Sequence, residues 1–182
     1  GLFSEAIRYF DRAISLDPGL EDAHDHRAEA YRQRDLFVKT GLATQAFEDL
    51  SQSYSLEFNQ SEFFAWRGRM GQLIGRDDQA AFEDLRRAVD LDPQNTVAHA
   101  YLGDYVRSVD EYHWAAENLG EAIRLDPELA VAHHFLGRLH FDLGLFSEAI
   151  RYFDRAISLD PGLEDAHDHR AEAYRQRDLF VK

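Results

Sequence analysis

Three Leu-Asp-Pro triplets, Leu91-Asp92-Pro93, Leu125-Asp126-Pro127 and Leu159-Asp160-Pro161, follow one another at intervals of 34 residues, and a fourth stands at Leu16-Asp17-Pro18. No other feature constrains the fold as strongly, because self-similarity at a period of about 20–50 residues marks an array built from one repeated supersecondary unit. Proline has no N–H and disfavours α for the residue before it, so each Asp-Pro predicts the end of a helix. Between the triplets, small residues (Ala28, Gly68, Gly103, Gly137) recur in one predicted helix and Ala6, Ala46, Ala81, Ala115 and Ala149 in the next. One turn beyond each alanine stands a large apolar residue, Phe10, Leu50, Leu85, Leu119 or Phe153, at the spacing that places both on one helix face. One such pair cannot bury its apolar face alone, and stacked neighbours complete the core.

Read as His133-x2-Leu136-Gly137-x2-His140, Ala149-x3-Phe153 and Pro161, and again as His99-x2-Leu102-Gly103-x2-Val106, Ala115-x3-Leu119 and Pro127, the chain resembles the tetratricopeptide repeat family, with histidine where tryptophan and tyrosine usually stand. The resemblance implies an all-α fold: a right-handed superhelical solenoid of antiparallel helix pairs. Residues 1–20 are expected to form a second helix without a first. Whole repeats are expected at 21–60, 61–95, 96–129 and 130–163, and 164–182 form a first helix without a second. Two repeats are irregular. In 21–60, Ala28 to Ala46 spans six more residues than Gly137 to Ala149, and in 61–95 Arg67 and Gly71 should weaken the first helix.

Residues 1–39 are identical to residues 144–182, an offset of 143 residues that equals four whole repeats and so keeps the solenoid in phase. A window from a longer array and an engineered extension both explain this. Either way, the opening helix offers Ala6, Ile7, Phe10, Ala13 and Ile14, and the closing helix Ala171, Ala173, Tyr174, Leu179 and Phe180, with no partner helix of their own. Joining the ends of two molecules would bury these residues. That heterologous contact need not close, so head-to-tail self-association is the second functional expectation.

Composition narrows the rest. The 182 residues carry 34 acids against 20 Lys and Arg, a formal charge of −14, which repels phosphate backbones and anionic headgroups and speaks against nucleic-acid and membrane partners. Without cysteine there is neither a disulfide framework nor thiolate chemistry. No apolar run is long enough to span a bilayer and no leader pattern opens the chain, although it lacks an initiating Met, so the compartment is unknown with the cytoplasm as default. No catalytic, cofactor or metal site is expected. The glycines of residues 68–76 follow no strand, which argues against a nucleotide loop. His24, His99, His133 and His167 recur once per repeat, and read as packing residues in place of the usual aromatics. Asp77-Asp78 and Glu83-Asp84 read as turn or outer-surface carboxylates.

In tetratricopeptide proteins the first helices line a concave groove that takes an extended or helical peptide. The resemblance thus implies a non-catalytic scaffold that binds a protein or peptide partner. Carried over by position, the groove columns are His26, Trp66, Tyr101, Phe135, His169; Glu29, Arg69, Asp104, Arg138, Glu172; and Arg32, Gln72, Arg107, Phe141, Arg175. The strongest candidates are Trp66, Arg69, Tyr101, Asp104, Arg107, His134, Phe135, Arg138 and Phe141, aromatic anchors beside forked donors. An equally physical expectation is that Arg69, Asp104 and Arg138, alternating in sign, pair across adjacent helices. Lysine and asparagine are missing from these columns, so the specificity of family members that clamp acidic chaperone C-termini is not expected.

Overall fold

A computed structural model describes residues 10–12, 14–15, 60–73 and 78–180. The expectations for Ala6, Ile7, Ala13 and the whole of 21–59, with its six-residue expansion, lie outside these residues, as does the side chain of Phe180. The described residues hold helices joined by turns, without a strand, and fall into two compact units, Gly1–Pro93 and Gln94–Lys182.

The first unit contains α1 (Gln60–Leu73) and α2 (Asp78–Leu91), packed together. Gly68 is where they meet: a Cβ there would lie 2.7 Å from Leu85 Cγ and 2.8 Å from the Ala81 carbonyl oxygen. α1 runs unbroken through Arg67 and Gly71. Arg67 forks across the pair, its Nε and Nη2 each donating to an Asp84 carboxylate oxygen at 2.6 Å. Asp84 is accordingly buried and not an outer-surface acid. A guanidinium that satisfies a buried carboxylate in both directions offsets the weak helix propensity of the glycine.

The second unit holds α3 (Thr96–Ser108), α4 (Tyr112–Leu125), α5 (Ala130–Asp142), α6 (Phe146–Leu159) and α7 (Glu164–Phe180). Each helix packs on the next, and α5 also touches α3 and α7, so α3, α5 and α7 form one layer of a helix-pair solenoid. The proline rule holds at both joints: Asp126 and Asp160 sit in extended backbone, with ψ of 96° and 92°, and α4 and α6 stop one residue earlier. Close approach again falls at glycine. A Cβ on Gly103 would lie 2.7 Å from Leu119 Cγ, and one on Gly137 would lie 2.5 Å from the Phe153 ring. Leu119 and Phe153 have no exposed surface, and burying side chains of this size is worth roughly 1.5–3 kcal/mol each.

Candidate functional site

The layer formed by α3, α5 and α7 carries the candidates of the second unit, and its contacts recur at the repeat spacing. Tyr101 and Phe135 face each other with ring centroids 6.3 Å apart. Arg138 Nη1 donates to both Asp104 oxygens, at 3.0 and 3.2 Å, and Arg107 Nε donates to Asp104 Oδ1 at 2.9 Å. Arg107 Nη1 donates to Asp142 as well. Two acids and two arginines thus close a neutral chain, Arg138–Asp104–Arg107–Asp142, across α3 and α5. Burial works against the Arg107 charge, but the Asp104 and Asp142 carboxylates outweigh it, so the pKa is raised. Between α5 and α7 the link is an imidazole pair, His134 Nε2 to His169 Nδ1 at 3.0 Å, with both rings against Phe153.

This geometry settles where the candidates stand. Tyr101 (4% exposed), Asp104 (1%), Arg107, His134 and Phe135 (1%) are interior residues. They were expected as an open ladder of anchors and donors. They are covered because helices stacked at one-repeat offsets bring each side chain against its counterpart on the next helix. Arg138 and Phe141 keep partial exposure at the edge, Phe141 packing edge-on against Phe146 at 5.4 Å. In the first unit, Trp66 is half-buried on α1, and buried Arg69 donates from Nη1 to Gln72 at 2.8 Å.

Residues 130–163 match the tetratricopeptide repeat family. The human tetratricopeptide repeat protein 13 is 33% identical over 93 residues, covering 51% of this chain and 11% of that protein. The MamA protein superposes with a TM-score of 0.55 at 23% identity, over 94% of this chain and 84% of that one. The first such domain of Spaghetti (RPAP3), solved bound to the HSP90 peptide SRMEEVD, superposes with a TM-score of 0.57 at 17% identity, over 67% of this chain and 96% of that one. One stretch of the chain, residues 130–163, thus matches a tetratricopeptide repeat, and the fold is that of tetratricopeptide solenoids. The chain spans about a tenth of the length of its human relative, 11%.

Within that family's architecture the two ends differ. Phe10 was expected to lie uncovered, yet it has no exposed surface. Its duplicate, Phe153, is equally buried, between the rings of His134 and His169. Ile14 is half-buried. On α7, Ala173 joins the core with Ala149, Ile150 and Phe153, which corrects its place among the uncovered residues. Ala171, Tyr174 and Leu179 do remain exposed, Leu179 at 62%.

The sequence reading omitted Asp142, the outer partner of Arg107. An acid one repeat and one residue beyond a buried arginine is the signal that would have found it. Of the repeating histidines, His99 and His133 are buried packing residues as expected, His167 is exposed, and His24 lies outside the described residues. The three described ones are each held by a hydrogen bond: His99 to Asn118, His133 to the Pro127 carbonyl and His167 to the Pro161 carbonyl. Among the described residues no three His, Asp or Glu side chains are grouped to hold a metal ion.

Proposed function

We propose that the chain is a non-catalytic interaction scaffold whose partner segment lies along α5 and α7, contacting Arg138, Phe141 and the outer edge of Asp142. Trp66 offers a further aromatic contact on the first unit. The observation that carries this reading is the α3–α5–α7 layer: an interior fixed by neutral pairing, beside which Arg138 and Phe141 keep partial exposure and Asp142 is exposed. Tyr101, Asp104, Arg107, His134 and Phe135 support that edge rather than touch the ligand, and pre-organisation of this kind lowers the cost of binding. Arg107 and Arg138 are already held by carboxylates, so the surface lacks the uncommitted cations that an acidic peptide terminus requires. SRMEEVD, the peptide bound by the RPAP3 domain, is therefore expected not to bind here. Panning a random peptide library against the full chain tests the proposal. Enriched peptides should lose about tenfold in affinity, near 1.4 kcal/mol, on Arg138→Ala or Phe141→Ala. No enrichment, or indifference to both variants, overturns it.

A second reading, head-to-tail association, draws on exposed Tyr174 and Leu179 of α7 but not on Phe10, which is fully covered. Light scattering of the full chain over rising concentration decides it, since growth in mass that Leu179→Glu abolishes is its requirement.

A further inference from the structure

On the side of α5 away from Arg138 and Phe141, a cleft of about 270 Å³ opens against α6, lined by His133, His140, Glu148, Arg151, Tyr152 and Arg155. Both imidazoles are held from one nitrogen. His133 Nε2–H donates to the Pro127 carbonyl at 2.9 Å and His140 Nδ1–H to the Leu136 carbonyl at 2.8 Å. A carbonyl only accepts, so these nitrogens carry the protons, and in the neutral rings His133 Nδ1 and His140 Nε2 are bare acceptors. His133 is 8% exposed and its Nδ1 is buried with no partner. Buried polar atoms are rarely left so, and an unpartnered one points to something absent that would bond it. The Tyr152 ring lies along both imidazoles, with centroids 6.4 and 4.8 Å away. Among the described residues nothing pairs with the guanidinium of Arg151 or Arg155.

The preceding repeat shows that this arrangement is not a requirement of the fold. The positions 34 residues earlier hold Val106, Trp114, Glu117, Asn118 and Glu121. There His99 Nδ1–H donates to Asn118 Oδ1 at 3.1 Å, and Glu121 engages Arg124. Tyr152 in place of the asparagine deprives the imidazole of its partner, and two arginines replace two glutamates.

We propose that this cleft binds a phosphate group that still carries a proton. The Arg151 and Arg155 forks take its oxygen anions, the form of recognition for which guanidinium is suited. Its P–O–H donates to the bare Nδ1 of His133, and the Tyr152 hydroxyl bonds a further oxygen. A fully ionised carboxylate or sulfate satisfies the arginines but has no proton for the imidazoles. Glu148 opposes the anion from the rim, which sets a modest affinity and gives the test a sign. Hydrogen phosphate and a phosphorylated side chain share this chemistry.

The full chain, labelled with nitrogen-15 in histidine, is titrated with inorganic phosphate and, separately, sodium sulfate at about pH 7, where an ordinary imidazole is mostly neutral, inorganic phosphate still carries a proton and a phosphate monoester is partly protonated. Saturable shifts of His133 Nδ1 and His140 Nε2 are expected with phosphate, and binding about tenfold weaker with sulfate, the loss of one charge-assisted bond. Arg151→Gln with Arg155→Gln abolishes the response while the helical circular dichroism is kept, and Glu148→Gln strengthens it. A short phosphoserine peptide binding more tightly than inorganic phosphate assigns the natural source to a modified side chain, and weaker binding assigns it to the free anion. Absence of saturation, equal response to sulfate, or an unchanged response in the double arginine variant overturns the proposal.

Discussion

The two whole helix pairs of the second unit, α3–α4 and α5–α6, have the same scaffold and different polar chemistry. In both, a glycine on the first helix admits the large residue of the second, and Asp-Pro ends the pair. Beyond that they part. Toward the preceding helix, α5 is tied by the charged chain through Asp104. Toward the following one it is tied by two imidazoles, where one repeat earlier the matching positions are Ala100 and Phe135. Packing positions repeat because one geometry must be satisfied in every pair. Polar positions vary because each seam needs only that its own groups be paired.

Breaking the charged seam should have the largest effect. Asp104 is 1% exposed and accepts from both Arg107 and Arg138. Asp104→Ala removes the carboxylate that Arg107 and Arg138 share, and loss of one partner from a buried ionic group costs about 3–5 kcal/mol. Urea unfolding should register this as a lower midpoint, with Asp142→Ala less damaging because that carboxylate is partly exposed. Equal losses for the two variants would mean that the seam is not centred on Asp104.

The turns sharpen the comparison at smaller scale. Gly144 takes φ of +73° between α5 and α6, and 34 residues earlier Asp110 takes +66° between α3 and α4. The backbone bonds match: Glu111 N–H donates to the Val106 carbonyl and Leu145 N–H to the His140 carbonyl. A Cβ in the left-handed region costs about 1–2 kcal/mol, so Gly144→Ala should destabilise by that amount although open space surrounds the site. Asp110→Gly relieves the same strain but forfeits the bond from the Tyr112 hydroxyl at 2.7 Å, so its net effect should be smaller. Thermal melting of the two variants measures both.

Sequence periodicity made the scaffold legible because packing at Gly103, Gly137, Leu119 and Phe153 is enforced by residue size alone, and size repeats every 34 residues. The alternation of sign at Asp104 and Arg138 likewise foretold their pairing. What stayed hidden was burial: Tyr101 and Phe135 look like offered anchors in one dimension, and only the side-by-side approach of α3 and α5 shows that they cover each other. The α5–α6 cleft was hidden for the opposite reason. It arises where a partner is absent, and its mark in the sequence, Tyr152 where the preceding repeat has Asn118, acquires meaning only once the structure shows that Asn118 bonds His99.

The smallest expected effect separates the two seams by pH. Burial, and then the nearby Arg138 charge, pull the His169 pKa below the usual histidine value, with Asp165 opposing. A lowered native pKa means that the unfolded chain protonates first. Stability from this group is therefore complete above about pH 6.5, the unfolded value, and is lost as pH falls through the native value. Geometry gives the same sign, because the 3.0 Å contact between His134 Nε2 and His169 Nδ1 needs one bare nitrogen, which double protonation removes. The charged seam has no group of this kind. Acidification from neutral pH should thus accelerate amide exchange in α7 before α3, and His169→Gln should flatten the pH dependence of α7 without altering that of α3. If both helices loosen together on acidification, the two seams open as one unit and the chemical difference between them carries no local stability.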